Sequence, residues 1–142
     1  MAFSVRKPVS SDLDRISNLL NQLGYNPQID QIKDSIDSTS GEVYVAEESG
    51  IVIGLMSLIY FDYFPTVQKI CRITAIVVEE TQRSQGIGLK LIEFAESESK
   101  KRKCVGLEIT TSTKRHETHA YYEKLGFDKT SFRYYKSLES SI

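Results

Sequence analysis

Six residues, Arg83-Ser84-Gln85-Gly86-Ile87-Gly88, join a β-branched run to an amphipathic one, and no other stretch constrains the fold as tightly. Upstream, Ile70-Cys71-Arg72-Ile73-Thr74-Ala75-Ile76-Val77-Val78 carries no turn residue and reads as a strand. Downstream, in a segment running to Lys101, Ile87, Leu91, Phe94 and Ala95 fall at i, i+4, i+7 and i+8, the period of one helix face. The chain must therefore pass from strand to helix through a loop with two glycines. Glycines there remove the Cβ atoms that hold a ligand off the backbone. They leave N–H groups free to meet an anion at the positive end of the helix dipole. Arg83 adds a permanent cation with a planar fork suited to phosphate oxygens. The same glycines also serve a plain tight turn. A P-loop is excluded because no Gly-Lys-Ser/Thr follows, and the third glycine of dinucleotide spacing is missing.

The flanking pattern extends this unit in both directions. Phe3 to Val9 reads as an opening strand, and Ser11-x-x-Asp14 resembles a capping box. Leu13, Ile16, Leu20 and Leu23 then mark one face of a helix closed by Gly24. Gln28 to Ser38 carries Ile29, Ile32 and Ile36 at helical spacing. Glu42 to Glu47 alternates as a strand, Ser49-Gly50 turns it, and Ile51 to Tyr63 returns as its hairpin partner. Pro65 separates that hairpin from a strand over Lys69 to Glu79. Cys104 to Thr110 predicts a further strand and Lys114 to Leu125 a further helix stopped by Gly126. Phe127 to Leu138 is expected to finish as strand, with a turn near Thr130. The order implies an α+β fold: a mixed, mostly antiparallel twisted sheet with helices on both faces, and two right-handed β-α-β crossings.

Composition narrows the function classes. A chain of 142 residues without a repeat or linker is expected to form one domain, 1–142. A net charge of −1 offers no electrostatic case for nucleic acid or an anionic membrane. The cation run Lys100-Lys101-Arg102-Lys103 suits the negative end of the preceding helix. The start, Met1-Ala2-Phe3-Ser4-Val5-Arg6, lacks the apolar core of a signal peptide. The apolar stretch Ile51 to Phe61 is too short to span a bilayer. Cys71 and Cys104 read as reduced thiols, and neither joins His116 or His119 in a zinc spacing, so no metal is expected. A cytoplasmic protein is the expectation.

A second constellation closes the last helix. There Thr118, Tyr121, Tyr122 and Leu125 lie around one side, followed by Gly126-Phe127. Together with Arg-x-x-Gly-x-Gly between strand and helix, Tyr-x-x-x-Gly-Phe resembles the GNAT superfamily of acyl-CoA-dependent N-acyltransferases, over nearly the whole chain. The likeness is strongest over 76–88 and 113–127. Lys114-Arg115-His116-Glu117-Thr118-His119-Ala120-Tyr121-Tyr122 and Ser131-Phe132-Arg133-Tyr134-Tyr135-Lys136 are most similar to the aminoalkylphosphonate N-acetyltransferases and related short members.

The resemblance implies acetyl-CoA as cosubstrate. Arg83, Ser84, Gln85, Gly86, Ile87 and Gly88 would hold its pyrophosphate, and the backbone of Ile76, Val77 and Val78 its pantetheine arm, added like an extra strand. It places Tyr122 beside the thioester sulfur as general acid, and Tyr121 as a packing ring. Helix periodicity by itself fits Tyr122 equally as a core residue. The implied acceptor is the amine of a small molecule, with Tyr25, Tyr60 and Asp62 near its pocket and Arg115 or Arg133 facing an anionic group. A homodimer is compatible. Where many members carry a glutamate base, this chain has Ala75; Glu79, Glu108, a water or an already neutral amine are the alternatives. A protein or peptide N-acetyltransferase, and a catalytically silent CoA-binding sensor, are the competing readings.

Overall fold

The computed structural model describes residues 3–38, 42–83, 85–111 and 116–139. The chain forms two compact units, Met1–Thr110 and Thr111–Ile142. The first holds a five-stranded sheet of β1 (Phe3–Arg6), β2 (Glu42–Glu48), β3 (Ile51–Tyr63), β4 (Gln68–Val78) and β5 (Gly106–Ile109), in sequence order across the sheet. Neighbours are antiparallel except β4 and β5, which run parallel. Helices α1 (Leu13–Leu23) and α2 (Ile29–Asp37) lie between β1 and β2 in the chain, and α3 (Ile87–Lys101) between β4 and β5. The second unit contains α4 (His116–Lys124).

Alternation along the strands assigns each helix to a sheet face. Val45, Leu55 and Val77 join Ile16, Leu19 and Ile32 of α1 and α2 in one buried cluster. Their neighbours on the opposite face meet α3: the Tyr44 ring contacts Phe94 at 4.8 Å, and Gly54 lies beneath Leu91. A Cβ at Gly54 would come within 3.1 Å of the Ala46 Cβ and 3.4 Å of the Leu91 Cδ1, so α3 packs close because that side chain is absent.

Two bulges break the alternation. Ile53 has no partner in the β2–β3 ladder, which lets Val52 and Leu55 share a face three residues apart. Thr74 is the unpaired residue of the β3–β4 ladder, between Ala75 opposite Ser57 and Ile73 opposite Leu58. Before it, Cys71 lies beside Ser99 of α3; after it, Val77 is buried on the α1–α2 face.

Most sequence boundaries hold within a residue or two. Ser49 and Gly50, with φ of 53° and 81°, form the left-handed turn that a tight β2–β3 hairpin requires. The expected capping box at Ser11 gives way to a short 3₁₀ turn, Ser10–Asp12. There the Asp12 carboxylate accepts from the Val9 N–H at 2.7 Å and from Arg6 at 2.7 Å, tying β1 to the start of α1. One expectation fails. Residues 127–138 form no strand, and Phe132, Tyr134 and Tyr135 are exposed. A β-prone sequence needs a ladder partner to become a strand, and this segment pairs with none among the described residues.

Gly54→Val is expected to lower the unfolding free energy by about 1–3 kcal/mol through overpacking between Ala46 and Leu91. Urea denaturation followed by circular dichroism measures it; an unchanged midpoint would contradict the close approach.

Candidate active site

The β4–β5 ladder spans only Ile70 to Ile73, paired with Gly106 to Ile109. Pairing ends where the Thr74 bulge bends β4, so from Thr74 to Val78 the edge of β4 on that side has no strand partner among the described residues. Ile76, Val77 and Val78 thus lie on an edge that no described strand covers on that side, leading straight toward the glycine loop. Arg83 is exposed, and its Nε donates to the Val78 carbonyl at 3.2 Å. Gly86 is the N-cap of α3, with φ of 80° in the left-handed region that suits glycine. Among the described residues no side chain caps that helix end, and its first turn contains no acidic residue. The amide donors of Ile87 and Gly88 therefore offer an anion a site without a competing carboxylate in that turn. Gln85 is exposed beside them, and Ser84 lies outside the described residues.

The loop begins at an anchored residue. The Glu79 N–H donates to the Ile53 carbonyl at 2.8 Å, which the β3 bulge leaves available. Its carboxylate accepts from Arg15 at 3.1 Å and from Gln22 at 3.0 Å, both on α1. Gln22 also accepts from the Glu80 N–H at 3.0 Å. Burial acts to raise the Glu79 pKa, but the bonds from Arg15 and Gln22 and the N–H groups of Thr81 and Glu80 outweigh it and hold it below its ordinary value. Both oxygens are engaged in holding the loop, which leaves little basicity for catalysis. Glu108, another candidate base, pairs with Arg72 at 2.8 Å.

Ala75 and Ser57 lie side by side on the α1–α2 face and help to line a cleft of about 220 Å³. Ile16 and Leu20 of α1, Ile32 of α2 and Leu55 of β3 bound it. At the bulge the Ser57 and Thr74 hydroxyls share a hydrogen bond of 2.6 Å. The acceptor residues expected from sequence are not gathered there. Tyr25 is exposed, and Asp62 is exposed near the far end of β3. Tyr60 faces α3, on the opposite side of the sheet, under the Arg102 guanidinium at 4.2 Å. Its hydroxyl is buried without a hydrogen bond among the described residues, and burial pushes its pKa up. Arg133 is exposed, and Arg115 lies outside the described residues.

Within the second unit, the tyrosine signature has a structural cause. Gly126 takes φ of 97°, its N–H reaches the Glu123 carbonyl at 3.1 Å, and the Phe127 N–H reaches the Tyr122 carbonyl at 3.1 Å. This pair of bonds is the Schellman closure of a helix, and its usual apolar contact joins the Tyr122 and Phe127 rings at 5.9 Å. Gly-Phe therefore ends α4 and fixes the Tyr122 ring in one step. Tyr122 is buried and Tyr121 is 40% exposed, so the adjacent rings occupy different surroundings.

Among the described residues, no group of three or more His, Cys, Asp or Glu is placed to hold a metal, and no helix is long and apolar enough to cross a membrane. Cys71 and Cys104 are free thiols.

Known proteins share this architecture. The profile of the acetyltransferase (GNAT) domain matches residues 39–129. The aminoalkylphosphonate N-acetyltransferase of Salmonella typhimurium is 27% identical over 139 residues, covering 94% of this chain and 90% of that protein. Glucosamine-6-phosphate N-acetyltransferase from Arabidopsis thaliana superposes with a TM-score of 0.81 at 25% identity, covering 98% of this chain and 100% of that one. The aminoglycoside N-acetyltransferase AAC(6')-Iy, solved with CoA, gives a TM-score of 0.82 at 16% identity, with 96% and 95% covered.

The Glu79 contacts predict a pH dependence. A carboxyl whose folded-state pKa is lowered adds stability above its ordinary value of 4.5 and loses it as pH falls toward the folded value. Glu79→Gln should therefore melt lower than the parent at neutral pH, with the gap closing on acidification below 4.5. Melting curves from neutral to acidic pH measure this; a constant gap would rule out the charge as the cause.

Proposed function

Because the chain belongs to the GNAT acetyltransferase family, we propose that it moves an acetyl group from acetyl-CoA to the amine of a small molecule, with 1–142 acting as one catalytic domain. The family makes it an acyltransferase; cosubstrate, acceptor class and residue roles are our reading. One observation carries it: the β4 edge freed after Ile73 runs into an uncapped, glycine-opened helix terminus. An extended pantetheine arm matches the first, adding along Ile76, Val77 and Val78 as a strand would. A pyrophosphate matches the second, held by the amides from Gln85 to Gly88, with Arg83 and Ser84 beside them. The CoA found with the aminoglycoside N-acetyltransferase is in keeping with this cosubstrate.

In the transfer, the amine lone pair bonds to the thioester carbonyl carbon, the C–S bond breaks, and the sulfur leaves as a thiolate that needs a proton. Tyr122 is assigned that proton donation, since the Schellman closure holds its ring in place. The amine attacks in its neutral form, and the proton its nitrogen loses as the amide forms returns through water to the Tyr122 phenolate, because Glu79 and Glu108 are both engaged. Tyr25, Asp62, Arg115 and Arg133 remain candidates for the acceptor side, and the Salmonella relative named for aminoalkylphosphonates supports a small amine as the class.

Gly88→Val should place a side chain against the phosphates and weaken CoA binding about tenfold or more, on the order of 1.4 kcal/mol. Calorimetry with CoA measures this, and unchanged affinity would remove the loop from the site. Tyr122→Phe should lower kcat by roughly 10²–10⁴-fold while leaving CoA affinity unchanged. Tyr121→Phe should keep kcat near the parent value. Thiol release at saturating acetyl-CoA reads both, and full kcat in Tyr122→Phe would end the acid assignment.

A further inference from the structure

We propose that the cleft beneath α1 and α2 receives the body of the acceptor, and that this body is uncharged and apolar: a small primary amine carrying an aliphatic or aromatic group. The proposal rests on the acetyl-transfer reading and names the acceptor class of that same site.

Position is the first argument. The cleft reaches Ala75, the residue immediately before the β4 edge assigned to the pantetheine arm. The Thr74 bulge turns Ala75 to the α1–α2 face, away from Cys71 and Ile73, which precede it. An amine whose body fills the cleft therefore meets an arm laid along Ile76 to Val78 at the bulge itself. The methyl of Ala75 leaves room where a longer side chain would project into the space.

Charge is the second. Among the described residues, no acidic or basic side chain lines the cleft. Lys33 and Asp37 of α2 bond each other at 3.3 Å and do not line it. A phosphonate or carboxylate set against Ile16, Leu20, Ile32 and Leu55 would lose part of its hydration without gaining a counter-ion. An aliphatic or aromatic group gains by leaving water. Three uncharged polar residues line the cleft: Gln31 and Ser35 are exposed on α2, and Ser57, hydrogen-bonded to Thr74, marks the bulge where the amino group would sit. Size is the third argument. About 220 Å³ lies below the roughly 300–1,000 Å³ of pockets for drug-sized ligands, so the body is small.

Binding and turnover are tested separately. The full chain with CoA bound and labelled Ile and Leu methyls is titrated with 3-methylbutylamine and, in parallel, with 2-aminoethylphosphonate. Methyl signals of Ile16, Leu20, Ile32 and Leu55 should move with the first and stay with the second. With acetyl-CoA, kcat/KM for the apolar amine should exceed that for the phosphonate by roughly tenfold or more. Ser35→Arg, which places a cation on an exposed lining residue, should narrow or reverse that ratio. Methyl shifts with the phosphonate alone, shifts with neither, or an unaltered ratio in Ser35→Arg would overturn the proposal. Cleft shifts with the apolar amine but no acetylation of any amine would leave cleft binding standing and remove the acetyl-transfer reading.

Discussion

One extra residue in one strand organises this molecule. Thr74 has no partner across the β3–β4 ladder, and the strand bends there. On one side of the bend β4 pairs with β5; on the other its edge is open among the described residues. The same residue reverses which side chains face which helices, carrying Ala75 and Val77 to α1 and α2. Without it, strict alternation would turn Ala75 toward α3 with Cys71 and Ile73. The open edge and the cleft thus have a common origin.

Around that bend, polar contacts fix what the backbone leaves loose. Glu79 is held by Ile53, Arg15 and Gln22, so the start of the glycine loop is tied both to the β3 bulge and to α1. On the other face, Glu42 joins the Tyr44 hydroxyl at 2.6 Å and the Arg102 guanidinium, linking β2 to the end of α3. Burial acts to raise the Glu42 pKa, and these partners with Lys7 hold it down. Each carboxylate is partly buried and ion-paired, an arrangement that positions elements more than it adds stability.

Local chemistry made much of the fold legible. Gly24, Gly86 and Gly126 have the positive φ that their places at helix ends suggest, and the Ser49-Gly50 turn forms where the alternation breaks. The glycine opening of α3 at Gly86 and the closure of α4 from Tyr122 to Phe127 were visible because each is set by a short contiguous pattern. The acceptor side was not. Tyr60 and Asp62 stand two apart on one strand near a hairpin end, yet Tyr60 is under Arg102 and facing α3. Arg15 and Gln22 lie seven apart on one helix, a spacing that marks a shared face, but their partner Glu79 is more than fifty residues away.

The sequence by itself determined where most of the elements begin and end and where glycine opens or closes a helix, because capping, turn chemistry and periodicity act over a few neighbouring residues. It also set the family, through two motifs whose spacing is local. Tertiary structure alone decided where the strands slip. Whether Thr74 bulges out depends on Ser57 and Leu58 across the ladder, not on Thr74's own preference. It decided too that residues 127–138, patterned for a strand, remain without one, since a strand exists only where a partner offers its edge.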